Sequence, residues 1–261
     1  MTDTGIDTGD VRIKLTVDGS IATLTIARPE KLNALDFEMI LALERAAHVI
    51  DANTAVRVAI ITGEGEKSFC AGGDIAAWSA INAEDFGMQW VRAGHRAFDA
   101  LTRLRQPLIA AINGHILGGG FELATCADFR IGEAHIKIGL PETGLGIIPG
   151  WSGTQRSVKR FGSQVIRRMA LLGEQLNAEQ GLEEGLLDYI VPKGTSVQAA
   201  HEFAQLIIAR SGFATSAAKM MINAADGEDA ERALESLAGV AVGHSAELKL
   251  GLEKFRANKK S

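Results

Sequence analysis

Apolar and polar positions along this chain alternate between two rhythms. Two short runs of branched residues, Arg12 to Val17 and Ala22 to Ile26, flank Asp18-Gly19, a dipeptide that favours a tight hairpin turn, and so predict two paired strands. Past Arg28-Pro29, Asp36 stands as an N-cap before apolar positions at helical spacing through Leu43, Ala47 and Ile50. Val56 to Thr62 then reads as a buried strand, and a glycine-bearing loop from Gly63 to Asp74 leads into a helical stretch from about Glu84 to Leu104. Pro107 opens the apolar strand Leu108 to Ile112, and Phe129 to Ile131 and Ile136 to Ile138 are further strands. Beyond Gly153 the periodicity is helical, interrupted at Gly173, Pro192 and Gly212. Strands alternating with helices predict an α/β protein with a largely parallel sheet and crossover helices. A helical tail predicts packing on that core or on another subunit. The expected division is a flexible start at residues 1–10, an α/β core at 11–200 and a helical region at 201–261, the last boundary marked by a shift to helix and not by a linker.

Composition adds mainly exclusions. A chain of 261 residues with 46% hydrophobic and 23% charged residues has the apolar content to fold around one large core. Its net charge of −5, with both signs interspersed, offers no basic stripe for a nucleic-acid backbone. Met1 to Asp10 lacks the basic and apolar regions of a signal peptide, and no apolar run reaches membrane-spanning length. The expectation is a cytoplasmic protein with no membrane partner. Cys70 and Cys126 lie in apolar runs without metal-ligand spacing to the 6 histidines, and read as reduced core thiols with no metal site.

Three segments carry candidate chemistry. In the first, a strand ends at Asn113-Gly114 and Leu117-Gly118-Gly119-Gly120-Phe121-Glu122 follows, so glycines open a helix whose first N–H groups have no internal partner. An anion or a developing oxyanion suits such a place, although a turn that simply packs helix on strand suits the triplet as well. Glu122 lies one turn past the middle glycine among Phe121, Leu123 and Ala124, where an unpaired charge is costly, and this points to function. The second segment, Phe69-Cys70-Ala71-Gly72-Gly73-Asp74-Ile75, offers another free N–H, or on its own a plain turn capped by Asp74. Two convergent backbone donors are what an oxyanion hole needs. The third runs from Gly139-Leu140-Pro141-Glu142 to Gly153-Thr154-Gln155-Arg156, an apolar loop carrying one carboxylate. Glu142 is a solvated loop residue or the partner of Glu122 across a cleft, where paired carboxylates push their pKa values apart.

With Arg28-Pro29 to Asn33-Ala34-Leu35 before them, these segments resemble, in order and spacing, the crotonase superfamily, the enoyl-CoA hydratase/isomerase family, from about Val11 to Phe255. The resemblance implies a spiral of ββα units with a helical C-terminal region that forms trimers or hexamers. It implies an enoyl-CoA hydratase in which the N–H groups of Gly73 and Gly119 grip the thioester oxygen. Glu122 and Glu142 would hold the attacking water, with the Gly150 N–H in support. Coenzyme A is expected near Lys31, Leu32, Ala34, Ala71, Asp74 and Ile75, as part of the substrate and with no tightly bound cofactor. Trp78, Leu117 and Trp151 are expected walls for the acyl tail, although each also reads as ordinary core. Three positions depart from the commonest pattern: Gly73 stands where alanine is frequent, Trp151 where a small or phenyl side chain is frequent, and Leu250 where glutamate often precedes Gly251. A double-bond isomerase and a non-catalytic thioester-binding protein are the competing expectations.

Overall fold

The computed structural model describes residues 5–258. Among them the strands, in chain order, are Ile13–Asp18 (β1), Ile21–Ile26 (β2), Val58–Gly63 (β3), Ser68–Cys70 (β4), Leu108–Ile112 (β5), His115–Leu117 (β6), Phe129–Glu133 (β7), Lys137–Gly139 (β8), Gln175–Asn177 (β9) and Tyr189–Val191 (β10). The helices are Phe37–Ala52 (α1), Ile75–Trp78 (α2), Ala83–Asp85 (α3), Arg92–Thr102 (α4), Gly119–Ala124 (α5), Gln155–Phe161 (α6), Ser163–Leu172 (α7), Ala178–Glu183 (α8), Ser196–Ile208 (α9), Gly212–Ala225 (α10), Ala230–Gly243 (α11) and Ala246–Asn258 (α12).

The hairpin at Asp18-Gly19 pairs β1 with β2 antiparallel, from Ile13 opposite Ile26 to Asp18 opposite Ile21. Parallel pairing then extends the sheet in the order β1-β2-β3-β5-β7-β10. A second sheet has the order β4-β6-β8-β9, parallel except for its last pair. Three times in succession the chain leaves the first sheet and lays a three-residue strand in the second: β3 to β4, β5 to β6, β7 to β8. That repetition is the expected spiral of ββα units.

Strand β3 is buried along its whole length because apolar layers cover both faces. Ala59 and Ile61 face a core that includes Leu43 of α1 and Phe98 of α4. Val58 and Ile60 face Ala200 and Ala204 of α9. Asp36 caps α1 by accepting from the Met39 amide at 3.1 Å. Cys70 and Cys126 are buried free thiols, and burial pushes the Cys70 thiol up to about 12. Among the described residues no helix is long and apolar enough to cross a membrane.

Several elements differ from expectation. Residues 1–4 and 259–261, the ends of the expected flexible start and helical tail, lie outside the described residues. Residues 6–10, expected to fray, are held: Ile6 bridges to Leu15, the buried Thr8 hydroxyl donates to the Ile13 carbonyl at 2.6 Å, and Asp10 pairs with Arg12. The long helix expected over 84–104 is broken, since Phe86–Val91 winds as a π-helix between α3 and α4. The stretches read as glycine loop or helix contain β4, β6, β9 and β10, and these strands are only three residues long.

Candidate active site

The two glycine segments and the apolar loop meet where the second sheet borders the helices. Gly118, at φ +55°, turns the chain from β6 into α5, and a Cβ there would lie 2.9 Å from Oε1 of Glu142. Only glycine meets both conditions. On the other side, Leu35 donates to the Gly72 carbonyl at 2.8 Å and Asp74 donates to the Leu35 carbonyl at 2.7 Å, so the glycine loop is stitched to the segment after Arg28. Arg28 reinforces this by pairing with Asp74 at 2.9 Å. Burial opposes ionisation of Asp74, yet the Arg28 guanidinium holds its carboxyl below the usual carboxylate range.

These elements enclose a cavity of about 90 Å³ lined by Glu122, Glu142, Gly73 and Gly119. Among the described residues, the amides of Gly73 and Gly119 donate to no protein acceptor. Glu122 is 2% exposed. Its Oε1 accepts from the amides of Trp151 at 2.7 Å and Gly153 at 2.6 Å. Burial, helped by the charge of Glu142, nevertheless pushes its pKa up to about 8 against the pull of those amides and that of Gly150. Glu142 is 7% exposed, its Oε2 has no hydrogen-bond partner, and burial raises its pKa to about 7. The two carboxyls thus titrate near neutrality, the condition under which one gives a proton while the other takes one.

Nine of the expected site residues line this cavity: Ala71, Gly73, Ile75, Trp78, Gly119, Glu122, Glu142, Gly150 and Trp151. Lys31, Leu32, Ala34 and Asp74 lie outside it, on or beside the strip that pairs with the glycine loop; Lys31 and Leu32 are exposed. Leu117 also lies outside the cavity lining. It sits in β6 with its side chain toward Gly139, because strand alternation turns it away. The sequence reading missed the Trp151 and Gly153 amides, which fix Glu122; backbone donors leave no residue-type signature. It also missed Phe86, Trp90 and Val91, which the π-helix turns into the cavity wall. Among the described residues no group of His, Cys, Asp or Glu is placed to hold a metal ion.

The model of a family described as enoyl-CoA hydratase/isomerase matches residues 16–261. The chain is 36% identical over 225 residues to a crotonyl-CoA hydratase of Syntrophomonas wolfei, covering 85% of each. It is 36% identical over 209 residues to a carnitinyl-CoA dehydratase of Salmonella arizonae, covering 79% of this chain and 78% of that one. The solved structure of an enoyl-CoA hydratase from Bacillus anthracis superposes with a TM-score of 0.81 at 32% identity, covering 95% of this chain and 96% of the other.

Proposed function

The chain belongs to the enoyl-CoA hydratase/isomerase family, and on that premise we propose that it reversibly adds water to a 2-enoyl-CoA thioester to give a 3-hydroxyacyl-CoA. One observation carries this reading. Two buried carboxyls with raised pKa values share a small cavity with two backbone amides that have no protein acceptor.

The Gly73 and Gly119 amides take the thioester oxygen. Hydrogen bonding there draws electron density from the conjugated double bond and makes C3 electrophilic, and it stabilises the enolate-like species that follows. A water between Glu122 and the open Oε2 of Glu142 attacks C3. The ionised carboxyl removes the water proton and the protonated one delivers a proton to C2, so the site ends with its protons exchanged and its charge unchanged. Because both amide bonds to Glu122 fall on Oε1, that side chain is locked while its other oxygen remains for the water.

Coenzyme A enters as part of the substrate, along Lys31, Leu32, Ala34, Ala71, Asp74 and Ile75. Asp74 contributes backbone there, since its carboxyl is engaged by Arg28. Trp78 and Trp151 face the acyl part. The site needs no metal or resident cofactor, and the protein works in the cytoplasm. Helices α11 and α12 join copies into a trimer or a pair of trimers.

A double-bond isomerase needs one carboxyl to carry a proton from carbon to carbon; the second buried carboxyl supports hydration. The test is a comparison of purified protein on 2-enoyl- and 3-enoyl-CoA of equal length. Hydration of the 2-enoyl substrate outpacing conversion of the 3-enoyl one supports the proposal, and the reverse order makes the protein an isomerase.

A further inference from the structure

Three glycines that the backbone does not require make room for one indole. Gly73, Gly94 and Gly119 all lie outside the left-handed region, so their dihedral angles suit any residue. Gly94 sits inside helix α4, where glycine is a poor helix former. The explanation is steric. A Cβ on Gly94 would overlap the pyrrole edge of Trp151, one on Gly119 would come within 2.7 Å of its six-membered ring, and one on Gly73 would lie 3.1 Å from the Trp90 ring and 3.3 Å from that of Trp151. The indole is 4% exposed and is wedged against Trp90 and Phe98 with ring centroids 5.6 and 5.2 Å away.

Its position relative to the chemistry gives this packing a consequence. The ring lies against the two glycines whose amides take the thioester oxygen, and the amide of the same residue holds Glu122. An acyl chain running past C3 therefore meets the indole almost at once, and Phe98 and Trp90 behind it leave no space into which it can retreat. The cavity measures about 90 Å³, whereas ligand pockets usually hold about 300 Å³ or more.

We propose that Trp151, seated in the space left by Gly73, Gly94 and Gly119, is the end wall of the acyl cavity and restricts this protein to short-chain enoyl thioesters. The proposal rests on the hydratase reading above for its substrate class.

The experiment measures kcat/KM for crotonyl-CoA and 2-decenoyl-CoA with the wild-type protein, Trp151→Phe and Trp151→Ala, and Kd for the unreactive butyryl- and decanoyl-CoA with the same three. The wild type prefers the short substrate by roughly a hundredfold or more, and Trp151→Ala lowers that preference at least about tenfold, with Trp151→Phe between. The Kd ratios move the same way. Trp151→Phe keeps one aromatic ring, gives up the other half of the indole and loses an N–H that has no acceptor, so it shortens the wall with less risk of a folding failure than the alanine variant. As an independent check on the seat, Gly94→Ala lowers Tm by roughly 5 °C in the wild type and not in the Trp151→Ala background. Equal use of both chain lengths by the wild type, a preference that Trp151→Ala leaves unchanged, or a Gly94→Ala effect that is the same in both backgrounds overturns the proposal. If no thioester is hydrated at any length, the reaction assignment fails, and the Kd ratios alone decide the role of the wall.

Discussion

Glu122 accepts two backbone amides and still ionises late, which means that burial costs its charged form more than those bonds return. Both catalytic candidates have folded-state pKa values above the unfolded value, so the folded protein binds more protons than the unfolded chain between about pH 4.5 and 8. Stability contributed by these groups is therefore present at low pH and declines as pH rises through that window. Urea midpoints of wild type and Glu122→Gln should coincide near the acid end and separate above it, with the variant the more stable; a variant less stable at high pH contradicts the assignment. Hydration rate against pH should be bell-shaped with limbs near 7 and 8 that belong to the pair. Gly118→Ala places a methyl against the Glu142 carboxyl at a left-handed dihedral, and its kcat should fall at least tenfold with little change in thioester Kd. The carboxylates were legible in the sequence because a charge among apolar neighbours stands out. The donors that aim Glu122 were not, since any residue supplies an amide.

At the level of elements, a buried guanidinium ties the site loop to the helices around it. Arg156, 3% exposed at the start of α6, pairs with Glu228 at 2.8 Å in the turn after α10 and with Asp99 of α4 at 2.7 Å. Glu228→Ala leaves a largely desolvated cation with one partner fewer. It should cost about 3 kcal/mol in urea unfolding, and a loss under about 1 kcal/mol would show that water replaces the carboxylate. The larger strands and α1 followed from periodicity and an Asp cap. In the second sheet β8 was expected one residue early, at Ile136 to Ile138, while β4, β6 and β9 did not follow, because strands of three residues cannot display a period of two. The π-helix at Phe86–Val91 was equally hidden, because its residues keep helical spacing and no residue type marks the wider turn.

For the whole molecule, the spiral of paired strands brings three distant glycine segments to one place, so fold and site are a single consequence of the ββα repeat. The C-terminal helices leave Leu234, Val242 and Leu250 exposed at 73%, 59% and 57%, more apolar surface than a solitary helix pair hides from water. Sedimentation should return a trimer or a pair of trimers, and Leu234→Asp with Leu250→Asp should shift it toward monomer; a monomeric wild type rejects the assembly. The central claim is chemical, and the ultraviolet absorbance of the conjugated thioester reads it directly. Mixed with crotonyl-CoA, wild-type protein should bleach that absorbance without added metal or nicotinamide, while Glu122→Gln and Glu142→Gln each bleach it roughly a hundred- to ten-thousandfold more slowly. Unchanged absorbance with the wild type, or undiminished bleaching by either variant, would contradict the account.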